Sequence, residues 1–459
     1  MGETKKKTGQ INLTDGPILK ALASLSLPIM ASAFLGTAYN ITDMAWIGLL
    51  GSKAVAGVGA GGMYVWLSQG LVALARMGGQ VNVAQCCGKG DRERAAHFAA
   101  GAIQLTVLFG ILFGVACLLF TDPLLGFFAL EDQESYSAAR VYMQVTCGLI
   151  LFSFMNLTLT GLFTAQGDSK TPFLANLIGL AANMVLDPIW ILGIGPFPRM
   201  EVFGAAAATV TAQFIVMLVM LFSLKKRRDN VVREVRLFQR VPSVCLKEIC
   251  RIGIPTALQS TVYCMISMVL TRMASGFGAG AIATFRVGGQ IESLSWNTAD
   301  GFGAALNAFV GQNYGAGKMD RVKRGYALAV RTVILWGALI LLIFVLFPRQ
   351  LSQMFFHEEE VILVSISYLV IIGICEPFMC VELTTVGALS GLGRTKLCSI
   401  ISILLTGARI PLALILCGTS LGVTGLWWAL TISSVSKGIV FYIAFCRVIG
   451  KTRGASGNS

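Results

Sequence analysis

Val83-Ala-Gln-Cys-Cys-Gly-Lys-Gly90 and Val310-Gly-Gln-Asn-Tyr-Gly-Ala-Gly317 share the frame Val-x-Gln-x-x-Gly-x-Gly and stand 227 positions apart. The same offset joins Ala54-Val-Ala-Gly-Val-Gly-Ala-Gly-Gly62 to Ala281-Ile-Ala-Thr-Phe-Arg-Val-Gly-Gly289, and Pro28 to Pro255. An offset of 226 joins Gly167-Asp-Ser-Lys170 to Gly393-Arg-Thr-Lys396. A near-constant offset at four separate places marks the chain as a duplication. In both copies the first frame closes a long apolar run, so the repeated unit is a set of apolar segments.

Working outward, twelve such runs cover residues of about 18–48, 53–84, 95–120, 136–165, 172–195, 203–224, 250–276, 280–311, 325–347, 360–391, 396–417 and 421–446. A helix needs about 20 apolar residues to cross a bilayer. Membrane barrel strands would be shorter and would alternate in polarity. Six runs per copy is an even number, so both copies point the same way, as in a parallel repeat about an axis along the membrane normal. The expected fold is an all-α polytopic membrane protein, with twelve transmembrane helices in two pseudo-symmetric six-helix bundles. Its expected parts are a tail at 1–15, an N-lobe at 16–224, a basic linker at 225–247, a C-lobe at 248–449 and a tail at 450–459.

Composition agrees. Of 459 residues, 55% are apolar and 13% charged, and mean hydropathy is +0.73. Soluble chains carry about 25% charged residues. An ordinary soluble enzyme, a disordered chain and a secreted disulfide scaffold are excluded. The net charge of +13 reads as topology rather than nucleic-acid binding. One set of connections carries Lys5-Lys6-Lys7, Lys89/Arg92/Arg94, Lys170, Lys225-Lys226-Arg227-Arg228 with Arg233, Arg236 and Arg240, Lys318/Arg321/Lys323/Arg324, Arg394/Lys396 and Arg447/Lys451/Arg453. The other set carries Asp122, Glu131, Asp132, Glu134 and Glu358-Glu359-Glu360, with few bases (Lys53, Arg199, Arg349). The positive-inside rule places both termini in the cytoplasm of a multi-pass inner (plasma) membrane protein. The polar start MGETKKKTGQINLTDGP has no signal-peptide core.

No catalytic constellation stands out, and an enzyme is not expected. Cys117, Cys147, Cys264, Cys375, Cys380 and Cys417 lie in apolar runs, where cysteine acts as a small hydrophobe, and no CxxC pair occurs among the twelve cysteines. Gly167-Asp-Ser-Lys-Thr171 lacks the glycine directly before its lysine and the upstream glycine of a phosphate loop. No cofactor or resident metal is expected.

Charges inside spans are costly and mark candidate sites. Asn40 and Asp43 sit three apart in helix 1, and Asn183 and Asp187 four apart in helix 5. Either spacing sets a pair on one helix face. Asp43 lies about 10 Å, and Asp187 roughly 12 Å, below the outer end of its helix at 1.5 Å per residue. Two carboxylates at one depth cannot both stay ionised cheaply, so one holds a proton or they share a cation. Pro188 is expected to break helix 5 beside the site. In the C-lobe, Arg286, Glu292, Glu376, Glu382 and Arg409 form a candidate polar network or substrate cavity. Arg409 requires a partner among Glu292, Glu376 and Glu382. Glu292 is either a cavity acid for a cationic substrate or half of a structural pair.

Four segments carry a family resemblance. They are Asn40-Ile-Thr-Asp-Met-Ala-Trp-Ile-Gly48, the twin frames ending at Gly90 and Gly317, Ala165-Gln-Gly-Asp-Ser-Lys-Thr-Pro172, and Asn183-Met-Val-Leu-Asp187. In this order and duplicated, they resemble the bacterial MATE (multidrug and toxic compound extrusion) transporters over about residues 15–450. The resemblance implies export of drug-like, often cationic organic compounds, driven by inward flow of H+ or Na+ through alternating access. It also implies a cation site at Asp43, Asn183 and Asp187, with Asn40 beside them. Helix 7 (Gln259, Ser260, Thr261, Ser267) lacks the acid that some members carry there. The expected partners are small organic substrates and membrane lipid, with the protein acting as a monomer. The alternative is a lipid-linked saccharide flippase of the same wider superfamily.

Overall fold

A computed structural model describes residues 11–128, 132–226, 230–235 and 239–456. Lys5, Lys6, Lys7, Glu131, Arg227, Arg228 and Arg236 lie outside the described residues, as do the side chains of Lys225, Lys226, Lys451 and Arg453. Among the described residues the only regular structure is helical.

Contacts divide the chain into two units, Met1–Asn12 with Leu27–Ala257, and Leu13–Ser26 with Leu258–Ser459. The first unit holds α1 (Ile18–Gly48) from Leu27 onward, α2 (Ser52–Lys89), α3 (Arg92–Leu119), α4 (Thr121–Gly126), α5 (Gln133–Gly148), α6 (Leu151–Ala165), α7 (Lys170–Leu192), α8 (Glu201–Lys226) and the start of α9 (Ser243–Ser275). The second unit holds the rest of α9, then α10 (Ala279–Gly315), α11 (Met319–Leu346), α12 (Pro348–Gln353), α13 (Glu359–Gly391), α14 (Thr395–Gly407), α15 (Arg409–Cys417) and α16 (Val423–Ser456). α1 and α9 each change unit beside a proline, Pro28 and Pro255.

The duplication is visible helix by helix. α3 and α11 are both 28 residues long, and α4 and α12 both six. The repeated motifs are where helices end. Gly90 and Gly317 have φ of 77° and 73°, and Gly167 and Gly393 have 82° and 76°. A left-handed residue there turns the chain after the last helical turn, and a side chain would strain it.

Among the described residues ten helices are long and apolar enough to cross a bilayer, and α5 with α6, bent by 46° at their break, make an eleventh. α10, at 37 residues, is not among them; it carries Arg286, Glu292 and Asp300 among many glycines, serines and amides. With α10 the order is the twelve-helix one expected, α14 and α15 together forming one crossing. Pro188 does not break its helix: α7 runs unbroken from Lys170 to Leu192. The missing amide frees one carbonyl, which neighbouring helices in a bundle can absorb.

Each unit has its own apolar core. In the first, Val83, Phe98, Leu162, Phe163 and Ile249 pack together. In the second, α13 packs on α10, α11 and α16, and Tyr368, Leu369, Ile372, Trp427 and Leu430 share one cluster. Small residues allow the closest approach: a Cβ on Gly387 of α13 would collide with the Gly303 carbonyl of α10. The few bases of the less basic connections are paired: Lys53 with Asp132 (3.2 Å) and Glu134 (2.9 Å), Arg199 with Glu201 (3.3 Å), and Arg349 with Glu359 (2.7 Å).

Candidate functional site

In the first unit, α1 and α7 bring two carboxyls to the same level. Asp43 is five residues before the end of α1 at Gly48, and Asp187 five before the end of α7 at Leu192. Each is therefore about 7.5 Å from its helix end. Asp43 is 6% exposed and Asp187 0%. One turn further on, Ile47 and Ile191 are fully buried and pack with Tyr142, Val202, Ala205 and Ala206. This apolar plug separates the acids from that end of the helices.

Asn183 Nδ2 donates to Asp187 Oδ1 at 3.0 Å. Asp187 lies in the field of Asp43, and the Tyr39 and Tyr142 hydroxyls lie in the fields of both. Tyr39 donates to Thr209 Oγ1 of α8 at 2.9 Å. The remaining oxygens are the informative ones. Asp43 Oδ1, Asn183 Oδ1 and Asp187 Oδ2 are buried without a hydrogen-bond partner, and among the described residues no Lys or Arg pairs with either acid. Buried acceptors without donors are costly. A proton on one carboxyl, or a hard cation taking oxygen ligands, relieves that cost. The donor set fits either.

Asn40, expected beside Asp43, is exposed. The structure brings Asp43, Asn183 and Asp187 together and leaves Asn40 outside. Tyr39, Tyr142 and Thr209 complete the group, and the sequence reading missed them. Tyr39 sits one turn before Asp43 on the same face, which was the available signal.

The second unit is not a copy of this arrangement. Glu292 Oε2 accepts from the Tyr368 hydroxyl at 3.1 Å, in the fields of Arg409 and Lys437. Arg409 is 9% exposed. Its direct partners are hydroxyls, Nε to Ser433 at 3.2 Å and Nη2 to Ser434 at 2.9 Å. Glu382 is held by Lys437 of α16 at 2.8 Å, both side chains being under a tenth exposed. Glu376 faces Ser295 but buries both oxygens without a well-formed hydrogen bond. Arg286 is exposed. Lys437 was overlooked in the sequence, although a lone lysine within the apolar run 421–446 is itself the signal.

The MatE family profile matches twice, over residues 28–189 and 255–415. The chain belongs to the MATE family. The two matches begin 227 positions apart and end 226 apart, the offsets of the sequence motifs. The chain is 30% identical over 420 residues to a probable multidrug resistance protein NorM of Thermotoga maritima, covering 89% of this chain and 88% of that one. It is 24% identical over 438 residues to an FAD transporter of Shewanella oneidensis, covering 95% and 96%. A solved structure described as MATE in the bent conformation matches with a TM-score of 0.91 at 25% identity, over 99% of this chain and all of the other. The MATE chain is thus a membrane transporter.

Proposed function

We propose that this MATE protein is a secondary exporter. It moves drug-like organic compounds, cationic ones included, outward across the plasma membrane in exchange for H+ or Na+. Its relatives' names support multidrug substrates. The observation that carries the coupling is the set of three orphaned oxygens on Asp43, Asn183 and Asp187. A site buried in an apolar bundle with no internal base must be neutralised from outside, which ties its occupancy to an ion gradient.

In this reading Asp43 and Asp187 bind the ion or proton in turn, and Asn183 orients Asp187. The plug of Ile47, Ile191 and Tyr142 excludes water at one end. Arrival of the charge joins α1 to α7 across the site, and its departure lets the two carboxyls repel. Helix packing responds in discrete steps, which would convert occupancy into alternating access. In unit 2 the network of Glu292, Glu376, Glu382, Arg409 and Lys437 holds the helices and sets the polarity of the substrate path.

The test is dye efflux from proteoliposomes under separately imposed pH and sodium gradients. One gradient should drive efflux by the wild type and fail to drive it in Asp187→Asn at equal protein content. Equal efflux by the variant would sink the coupling assignment.

A further inference from the structure

The turns from α2 to α3 and from α10 to α11 are copies, yet their charges are settled differently. In the first unit Asp91 caps α3, its Oδ1 accepting the Arg94 amide at 3.1 Å. Arg92 pairs with Glu234 at 2.7 Å, and Arg94 with Glu248 at 3.3 Å. In the second unit the position of Asp91 is held by Lys318, and α11 has no side-chain cap. The position of Arg94 is held by Arg321, which donates to the carbonyls of Leu13 (3.2 Å), Gly16 (2.8 Å) and Asp15 (3.0 Å). Carbonyls satisfy its hydrogens but leave its charge unmatched.

Lys318 is balanced by Asp15 at 2.7 Å, and Asp320 by Lys323 at 3.7 Å. Arg321 and Arg324 keep their positive charge. Arg324 is exposed and makes no ion pair among the described residues. Lys318, Arg321 and Arg324 are spaced by three, along one side of the first turns of α11. They border a cavity of about 370 Å³ that is also lined by Ile18 of α1, with Asp320 as its one acid. The uncapped helix start adds positive potential of its own.

We propose that this cavity binds the phosphate group of an anionic phospholipid headgroup. The charge calls for an anion, and the surroundings select a lipid-borne one. Ile18 and Met319 give the lining its apolar part, and α11 continues directly into a strongly apolar span. The cavity therefore stands where the headgroup layer meets the helix. In its twin in the first unit both arginines, Arg92 and Arg94, are paired to acids, which removes that demand.

The test uses the full-length protein in detergent, incubated with phosphatidylglycerol or phosphatidylcholine, with bound lipids counted by native mass spectrometry. The wild type should retain phosphatidylglycerol over phosphatidylcholine. Arg324→Glu should lower that retention fivefold or more, since one interfacial base is worth about fivefold in affinity for anionic lipid. Arg324→Lys should stay near wild type, and Lys89→Glu, on the twin turn, should have no effect. If Arg324→Glu aggregates on size exclusion, Arg324→Gln serves, with a loss of about fivefold. Equal retention of the two lipids, or an equal loss in Lys89→Glu, overturns the proposal. Displacement of the lipid by an equal concentration of inorganic phosphate overturns it too, by making a soluble phosphate the occupant. The readout is bound lipid, not transport, so it is independent of the export reading.

Discussion

Asp43 and Asp187 in the first unit, and Glu382 in the second, are carboxyls buried in apolar helices, but they are neutralised by different means. Glu382 has a lysine of its own unit 2.8 Å away. The two aspartates have only Asn183 and each other's field. A buried acid with an internal base has its charge settled once, at folding. A buried acid without one must have it settled anew whenever the surroundings change, by a proton or a cation from solution. The two halves share a fold and an ancestry in one repeated unit, yet the first leaves both of its facing aspartates without a base, whereas the second sets Glu382 against Lys437 and leaves Glu376 unpaired.

The most damaging way to break that comparison is to remove the open charge. Asp187→Asn and Asp43→Asn, made separately, should each reduce gradient-driven dye efflux to background, with unchanged amounts of protein in the membrane. Thermal stability should hold or rise, because a neutral amide replaces a buried carboxyl that has an unpartnered oxygen and no base beside it. A variant that loses both efflux and stability would show that the acid is a structural member, like Glu382.

Removing the settled charge should do the reverse. Lys437→Met leaves Glu382 buried and unpaired, which costs about 3 kcal/mol when one partner of a buried pair is lost. The combination Lys437→Met with Glu382→Gln should recover most of that stability, and the melting temperatures of the three variants in detergent would measure it. Recovery of stability together with efflux would mark the pair as scaffold. Stability without efflux would assign the second unit a direct part in the cycle.

How much of this was legible beforehand follows from what repeats and what does not. The fold was readable because left-handed glycines at helix ends, such as Gly90 and Gly317, allow few substitutes, so the same letters recur at a fixed offset. Eleven of the spans were readable from apolar length, and α10 from the offset that joins its two ends to the second helix of the first copy. Pro188 misled because proline predicts a break only where no neighbouring helix takes over its freed carbonyl. Among the site residues, Asp43, Asn183 and Asp187 could be found because charge within an apolar run is rare. Thr209 could not, since hydroxyls are common in such runs and only tertiary packing brings it to 2.9 Å from Tyr39. Partner choice was the least legible: Arg409 settles on Ser433 and Ser434, while Glu382 takes Lys437, and helix rotation decides both.

A smaller perturbation tests how the open site is held. Tyr39→Phe keeps the ring and removes the hydroxyl that bonds Thr209. A neutral hydrogen bond is worth about 1 kcal/mol, so efflux should fall by about fivefold and remain coupled to the same gradient. Thr209→Val should have a similar effect, and the double variant should add little to either single one, because both remove the same bond.

The smallest expected effect falls on Asn40, and it decides how finely helix periodicity can be read. Residues three apart on a helix differ in direction by about 60° and residues four apart by about 40°. Asn183 thus follows Asp187 into the site, while Asn40 lies far enough round α1 to be exposed where Asp43 is buried. Asn40→Ala should therefore leave the half-activating sodium or proton concentration for dye efflux within twofold of the wild type. Asn183→Ala, which removes both an orphaned oxygen and the bond to Asp187, should shift it well beyond that. A large shift from Asn40→Ala would mean that Asn40 reaches the ion during the cycle, and the open site would then hold four residues instead of three.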